Sequence, residues 1–131
     1  MPGVIPPAVE KDDEYFWRGV GEHRLLLRRC ASCHTLHHPP IPMCGKCHSL
    51  KWEIHESDGR GIVHSWVLSH HPTEPDAEPR IVVLVELDEG PRIVSNLCDV
   101  AVDDVRNEMA VEVCFRELDG VVLPQFRPVG G

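Results

Sequence analysis

Alternation of apolar and polar residues predicts β-strands in the second half of the chain. Val111, Val113 and Phe115 alternate with Glu112 and Cys114, which is the period of a strand with one face in a core. Similar runs, separated by clusters of Gly, Pro and Asp, predict five strands at 61–69, 81–88, 92–98, 110–117 and 121–127. Asp103 is predicted to start a short helical turn between the third and fourth strands.

The order of these elements indicates a mainly β fold built on a small barrel. Three strands, a helical link and two further strands form the order of a five-stranded OB-fold barrel. An SH3-like barrel stays open as an alternative, because order along the chain does not determine which strands pair.

The N-terminal half follows a different pattern. Residues 1–7 are rich in proline and are expected to be extended, and the acidic start of "EKDDEYFWRGV" at 10–20 predicts a short helix with packed aromatic residues. Two cysteine pairs follow, joined by the stiff connector "HHPPIP" at 37–42. These changes of sequence pattern along the chain predict three parts: an N-terminal extension and helix at 1–29, a zinc ribbon at 30–58 and an OB-fold barrel at 59–131.

The second predicted strand is apolar without a break, from Ile81 to Val85. Both of its faces therefore need cover, whereas a small barrel buries only the inner face of its strands. The outer face is expected to meet the N-terminal helix, the cysteine segment or another protein, since exposed contiguous apolar area usually marks an interface.

Composition bounds the class of protein. A chain of 131 residues fits one compact domain with at most a small appendage. The chain shows no basic region followed by an apolar stretch at its start and no run of membrane-spanning length, so we expect a cytoplasmic protein without a membrane partner. Thiols stay reduced in that compartment, and the six cysteines are therefore expected to be metal ligands or buried thiols.

The net charge of -8 makes nucleic acid an unfavourable partner. Residues 81–131 carry 10 acidic and 4 basic side chains, so the barrel would repel phosphates. A single-stranded nucleic-acid binder remains the alternative function, because OB folds and zinc ribbons both serve that role. Such a binder needs exposed aromatic side chains on which bases can stack. Here Trp66, Phe115 and Phe126 are instead expected to be core or interface residues.

"CASCH" and "CGKCH" place two C-x2-C pairs ten residues apart, which is typical of a rubredoxin-like zinc ribbon. Cys30, Cys33, Cys44 and Cys47 are the predicted ligands of one zinc ion. Four thiolates close a tetrahedral shell and leave no position for water or substrate, so the predicted site is structural. Alternatives are a c-type haem, which shares the C-x-x-C-H pattern but is generally attached after export, a rubredoxin-like iron centre, or replacement of a cysteine ligand by His34 or His48.

No catalytic residue is predicted. The other cysteines, Cys98 and Cys114, lack pair spacing or an adjacent base and are expected to be small buried side chains. The histidines, Asp and Glu show no spacing of a hydrolytic or open metal site. Partner contact or plain solvation is expected for the loop histidines His37, His38, His70 and His71.

Several motifs together resemble the bacterial and archaeal family of zinc-ribbon plus OB-fold proteins associated with thiolases and acyl-CoA metabolism. They are "EYFW", "RLLLRRCASC", the proline before "CGKC", Trp52, "SDGRGIVHSW", "LVELDEGPRIVSN" and "LPQFRP", in that order over nearly the whole chain. Two positions depart from the family pattern: Glu108 and His34 stand where glycine is expected.

The resemblance implies an accessory subunit of a thiolase-like enzyme, such as the lipid-transfer-type aldolases of steroid side-chain breakdown. The partner subunit would hold the catalytic residues, and the two would form a hetero-oligomer. An acyl-CoA thioester bound with the partner would lie close to this subunit, with Arg60, His70 and His71 as the candidate contacts.

Overall fold

The computed structural model describes residues 12–74 and 76–129, and its first element is helix α1 (Glu14–Gly21). Backbone N–H groups of Phe16 and Trp17 donate to the carbonyl of Asp13, and the helix begins at Glu14. Of the segment 10–20 that the sequence pattern assigns to this helix, residues 10 and 11 lie outside the described residues. Tyr15 and Phe16 are buried as expected. The predicted extended segment at 1–7 lies outside the described residues.

A three-stranded antiparallel sheet follows α1, in the order β2-β1-β3. Its strands are β1 (Leu26–Cys30), β2 (Leu36–His37) and β3 (Trp52–Glu56). The helix packs closely on β1 at Gly19, where a Cβ atom would lie 2.6 Å from Cγ of Leu26. The sheet pairs Cys30 with Trp52 and Arg28 with His37, so β1 holds the first cysteine at the centre of this unit.

The remaining strands form a closed five-stranded barrel, as the sequence predicts. They are β4 (Arg60–Ser69), β5 (Arg80–Leu87), β6 (Arg92–Leu97), β7 (Ala110–Leu118) and β8 (Val121–Pro128). The order β4-β5-β6-β8-β7 includes a parallel pair at Leu97 and Phe126, and β4 closes on β7 at Arg60 and Glu112. This pairing identifies the OB fold rather than the SH3-like alternative. The expected helical turn is the 3-10 helix Val102–Asp104, which begins after Ala101 and not at Asp103, and which has no capping side chain.

Strand β5 buries one face in the barrel core and leaves the other half-buried. On the outer face, Val82 pairs with Val67 of β4, and Leu84 pairs with Val94 of β6. Val67 and Val94 are 63% and 68% exposed. These four residues, which we call the outer apolar patch, therefore remain without full cover from the chain's described residues.

Strand β7 differs from the expected alternation. Val111 is fully buried, but every residue from 112 to 116 is half-buried, on both faces. The outward side chains are shielded by their own neighbours: Glu112 accepts a hydrogen bond from Arg127, and the thiol of Cys114 lies beside that of Cys98.

The chain divides into two compact units. The first contains the residues up to Asp58 and the hairpin tip Phe115–Pro124, and the second contains Gly59–Cys114 and the residues from Gln125 onwards. Within the first unit the ring of His23 stacks on Phe115, with centroids 5.4 Å apart and planes at 12°. None of the described helices has the length and apolar character that crossing a bilayer requires.

Both positions where glycine is expected have left-handed backbone. Glu108 has φ +65° and His34 has φ +62°. In this region a side chain crowds the following carbonyl, at a cost of roughly 1 to 2 kcal/mol, whereas glycine is free to enter it. The expectation of glycine at these two positions therefore has a backbone reason.

Glu108→Gly is expected to raise the free energy of unfolding by about 0.5 to 1 kcal/mol, because relief of left-handed strain exceeds the added freedom of the unfolded chain. The backbone bond from Glu108 N–H to Val63 O, 2.7 Å long, is retained. Arg106→Gly is the matched control, since Arg106 lies in the same loop without a positive φ and should lose stability. Thermal and urea unfolding measure the stability of both variants. Equal losses of stability in the two variants would contradict backbone strain at Glu108.

Candidate metal centre

The two cysteine pairs form turns with the same hydrogen bonds. In the first, Cys30 N–H donates to Thr35 O over 2.9 Å, and His34 N–H donates to Cys30 O over 2.8 Å. The left-handed backbone of His34 completes the turn. The second turn repeats these bonds and the positive φ with Cys44, His48 and Ser49.

The four cysteine sulfurs converge on one point. All lie within 4.8 Å of one another, and the shortest separations are 3.4 Å for Cys30–Cys47 and 3.6 Å for Cys33–Cys44. Zinc–sulfur bonds of roughly 2.3 Å in a tetrahedron require sulfur–sulfur edges of about 3.8 Å. The cluster therefore fits a single tetrahedral zinc ion.

The thiols of this cluster need a cation to ionise together. The side chain and backbone of Thr35 lower the pKa of Cys33 to about 6. Although Ser49 N–H lowers it, hydrogen bonds with the neighbouring cysteine side chains, Cys30 first, raise the pKa of Cys47 to about 12. Several thiolates this close together repel one another. A bound divalent ion offsets their negative charges, so that all four thiols can ionise.

The arrangement of the four cysteines argues against two of the alternatives, a c-type haem and a histidine ligand. A c-type haem would use each C-x-x-C-H segment separately, whereas here each pair places a sulfur against one of the other pair. Among the described residues, the group that could hold a metal contains only cysteines, so neither His34 nor His48 substitutes for a ligand. Four thiolates leave no coordination position for a substrate.

His37 supports the cluster from outside, a role that the sequence analysis missed. Its Nε2 lies 3.3 Å from Cys44 Sγ, and its ring meets Trp52 edge-on at 5.3 Å. Trp52 is itself fixed by donation from Nε1 to Pro42 O over 3.1 Å. His37 is therefore a positioning residue for a thiolate rather than a solvated loop residue.

Arg28 connects helix α1 to Trp52, the neighbour of His37. Its guanidinium lies 4.8 Å from the Tyr15 ring centroid and 5.3 Å from that of Trp52, and it donates to Ile41 O over 2.9 Å. Cation–π contacts of this kind are stronger when they are shielded from water. The N-terminal aromatic residues are thus connected to the cysteine segment by one cation.

His38 also differs from the expected solvated loop histidine. It is half-buried, its ring packs on Phe16 at 5.2 Å, and burial lowers its pKa to about 4. The neutral ring is therefore part of the packing around α1.

The three candidate acyl-CoA contacts do not form one cluster. Arg60 begins β4, while His70 and His71 follow its end at Ser69, and all three are exposed. Ten residues of strand span roughly 30 Å, so the arginine and the histidines lie at opposite ends of this strand.

The other two cysteines are closer than the sequence indicates. Cys98 and Cys114 are half-buried with their sulfurs 3.6 Å apart. Their contact depends on the pairing of β6 with β8, the neighbour of β7, which brings together residues 16 positions apart, so no local spacing could reveal it.

Family models match both parts of the chain. Residues 17–53 match the ChsH2 rubredoxin-like zinc ribbon domain, and residues 55–116 match the ChsH2 C-terminal OB-fold domain. One chain of the Ltp2-ChsH2(DUF35) aldolase is 42% identical, with a TM-score of 0.86 over 93% of this chain and 98% of that chain.

Curated relatives carry related descriptions. A probable enoyl-CoA hydratase alpha subunit of Thermomonospora curvata is 42% identical over 93% of this chain and 39% of its own length. The 3-oxo-4,17-pregnadiene-20-carboxyl-CoA hydratase alpha subunit of Mycobacterium tuberculosis is 38% identical over 72% of this chain and 30% of its own length. The chain thus spans about a third of these two proteins. A DUF35 domain-containing scaffold protein of Pyrococcus furiosus is 32% identical over 87% of this chain and 90% of its own length.

Elemental analysis of gently purified protein is expected to give one zinc per chain, with little iron. Zinc removal by a strong chelator should unfold the first unit, because such ions contribute roughly 10 to 16 kcal/mol in small peptides, comparable to a whole domain's stability. Loss of amide NMR signals from residues 12–58, while β4 and β5 keep theirs, would measure this. Cys30→Ser should resemble the chelated protein, and a metal-free protein with unchanged signals would contradict the site.

His37→Ala is expected to weaken zinc binding about 10-fold or more, because a contact that orients a metal ligand contributes on that scale. Competition with a chromogenic chelator measures the affinity. His70→Ala is the matched control, since His70 is exposed beyond β4 and should leave the affinity unchanged. Equal affinities of both variants and the parent would contradict the role of His37.

Proposed function

Because this chain belongs to the ChsH2 (DUF35) family of zinc-ribbon and OB-fold proteins, we propose that it is a non-catalytic, zinc-stabilised accessory subunit of a thiolase-like acyl-CoA enzyme. The observation that carries the proposal is the match to nearly a whole chain of the Ltp2-ChsH2(DUF35) aldolase. The reaction would be an aldol cleavage in steroid or lipid side-chain degradation.

The cysteine cluster supports a structural rather than a catalytic role. We propose that Cys30, Cys33, Cys44 and Cys47 hold the zinc ion, and that it stabilises the ribbon without taking part in chemistry. The description of the Pyrococcus furiosus relative as a scaffold protein agrees with this role. The catalytic residues would then belong to the partner.

The acyl-CoA of the reaction would bind mainly to the partner enzyme. The separation of Arg60 from His70 and His71 means that only one end of β4 would approach the thioester or its nucleotide. The exposed side chains at both ends leave either contact available to the ligand.

A hydratase complex is the second candidate, because two curated relatives are alpha subunits of CoA hydratases. In that case the same two-part module would serve a hydration reaction instead of an aldol cleavage. The non-catalytic role of this chain would be the same in both complexes.

Nucleic-acid binding has less support. Phe126 is fully buried, Trp66 is half-buried, and Phe115 stacks on His23, so these aromatic residues do not form an exposed platform for bases. The acidic barrel sequence would also repel a phosphate backbone.

Coexpression with a thiolase-like aldolase and, separately, with an acyl-CoA hydratase tests the proposal. Comigration in size-exclusion chromatography and acyl-CoA turnover by the complex, but not by this chain alone, are the expected results. The Val94→Asp variant should weaken the complex about 10-fold or more if the partner covers the outer apolar patch, since a charge would enter an apolar contact.

Leu50→Asp is the matched control for that variant, because Leu50 is 71% exposed in the cysteine unit. Each variant must first match the parent in thermal unfolding. Two independently stable, fully active proteins that never comigrate would refute the accessory role, and turnover by the isolated chain would refute the non-catalytic assignment.

A further inference from the structure

Cys98 and Cys114 form a thiol pair separate from the cysteine cluster. We propose that these two residues are a redox modification site, at which a peroxide converts the pair into a reversible disulfide. The inference concerns residues of the barrel and is independent of the partner enzyme.

The geometry favours bond formation between the two sulfurs. They lie 3.6 Å apart, whereas a disulfide requires about 2.05 Å, so a shift of roughly 1.6 Å would join them. A modest rotation of the two side chains can supply part of this movement.

Cys98 is held in position by one carbonyl. Its backbone N–H donates to Phe126 O over 2.8 Å, and its thiol donates to the same oxygen over 3.2 Å. Phe126 is fully buried in the barrel core, so the anchoring strand is firmly placed. The sulfur of Cys98 therefore stays near that of Cys114 without a covalent bond.

Both thiols are accessible to a small oxidant. Each is half-buried, whereas two of the metal ligands, Cys30 and Cys44, are fully buried and the other two, Cys33 and Cys47, are exposed, so that binding to zinc rather than burial has to protect the exposed ligands. Zinc-bound thiolates are less nucleophilic than free ones because their charge is shared with the ion. A peroxide should therefore react with the barrel pair in preference to the metal ligands.

The reaction balances with hydrogen peroxide as the oxidant. One thiolate attacks a peroxide oxygen, the O–O bond breaks, and hydroxide leaves, which gives a sulfenic acid. The second thiolate attacks that sulfur, an S–S bond forms, and the S–O bond breaks with loss of a second hydroxide. Both hydroxides take up the thiol protons as water, so the pair loses two electrons and the peroxide gains them.

The disulfide would close the segment from 98 to 114, which contains the 3-10 helix and the buried Val105. A bond across a loop of this size restricts the unfolded chain. Oxidation is therefore expected to raise the thermal midpoint of the barrel by about 5 to 10 °C.

Zinc-replete protein is treated with a small excess of hydrogen peroxide, alkylated and digested without reductant. The expected result is a peptide that links Cys98 to Cys114, a raised thermal midpoint, and reversal of both by dithiothreitol. A chromogenic chelator monitors zinc release, which should remain low.

Cys114→Ser and Cys98→Ser are the matched variants, and each should lack both the linked peptide and the thermal shift. The linked peptide is identified in the parent protein alone, so a folding defect in either serine variant would not obscure the result. Alkylation of both cysteines after peroxide treatment, or the same thermal shift in Cys114→Ser, would overturn the proposal.

Discussion

The convergence of four cysteine sulfurs on one point is the constraint on which the first unit depends. Apart from the hairpin tip Phe115–Pro124, its described regular elements are short: one eight-residue helix, two five-residue strands and one two-residue strand. Such elements bury too little apolar surface to fix their positions alone. A tetrahedral ion supplies the missing constraint, and Arg28, Trp52 and His37 transmit it to the helix and the sheet.

The barrel is stabilised in another way. Its strands bury alternate side chains such as Val63, Val83 and Val85, and β4 closes the sheet on β7, so no metal is needed to hold it. The chain thus combines a unit whose cysteine cluster fits a metal ion with a unit that relies on packing. Mutations will have different consequences in the two, because loss of a ligand removes one large contribution, whereas loss of a core methyl group removes a small one.

The local sequence pattern predicted the barrel strands, because a half-buried strand alternates apolar and polar residues with a period of two. It also predicted which cysteines come together, because tight turns determine their spacing. It missed β1 to β3, where "RLLLRRC" has no alternation and the paired segments are short. The contacts of His37 with Cys44 and of Cys98 with Cys114 were also missed, because tertiary pairing creates them. The two departures from expected glycines were informative, because both have positive φ.

A closed metal site would restrict how this chain takes part in the proposed acyl-CoA chemistry. A zinc ion held by the four cysteine sulfurs would offer neither a Lewis-acid position nor an activated water. The remaining route is through surface contact, and the exposed Val67 and Val94 on the acidic barrel provide apolar area with charged surroundings. Such a surface favours a protein partner over a polyanion, because apolar burial stabilises protein association while like charge repels nucleic acid. This surface agrees with the proposed role, in which the chain would act through contact with another subunit.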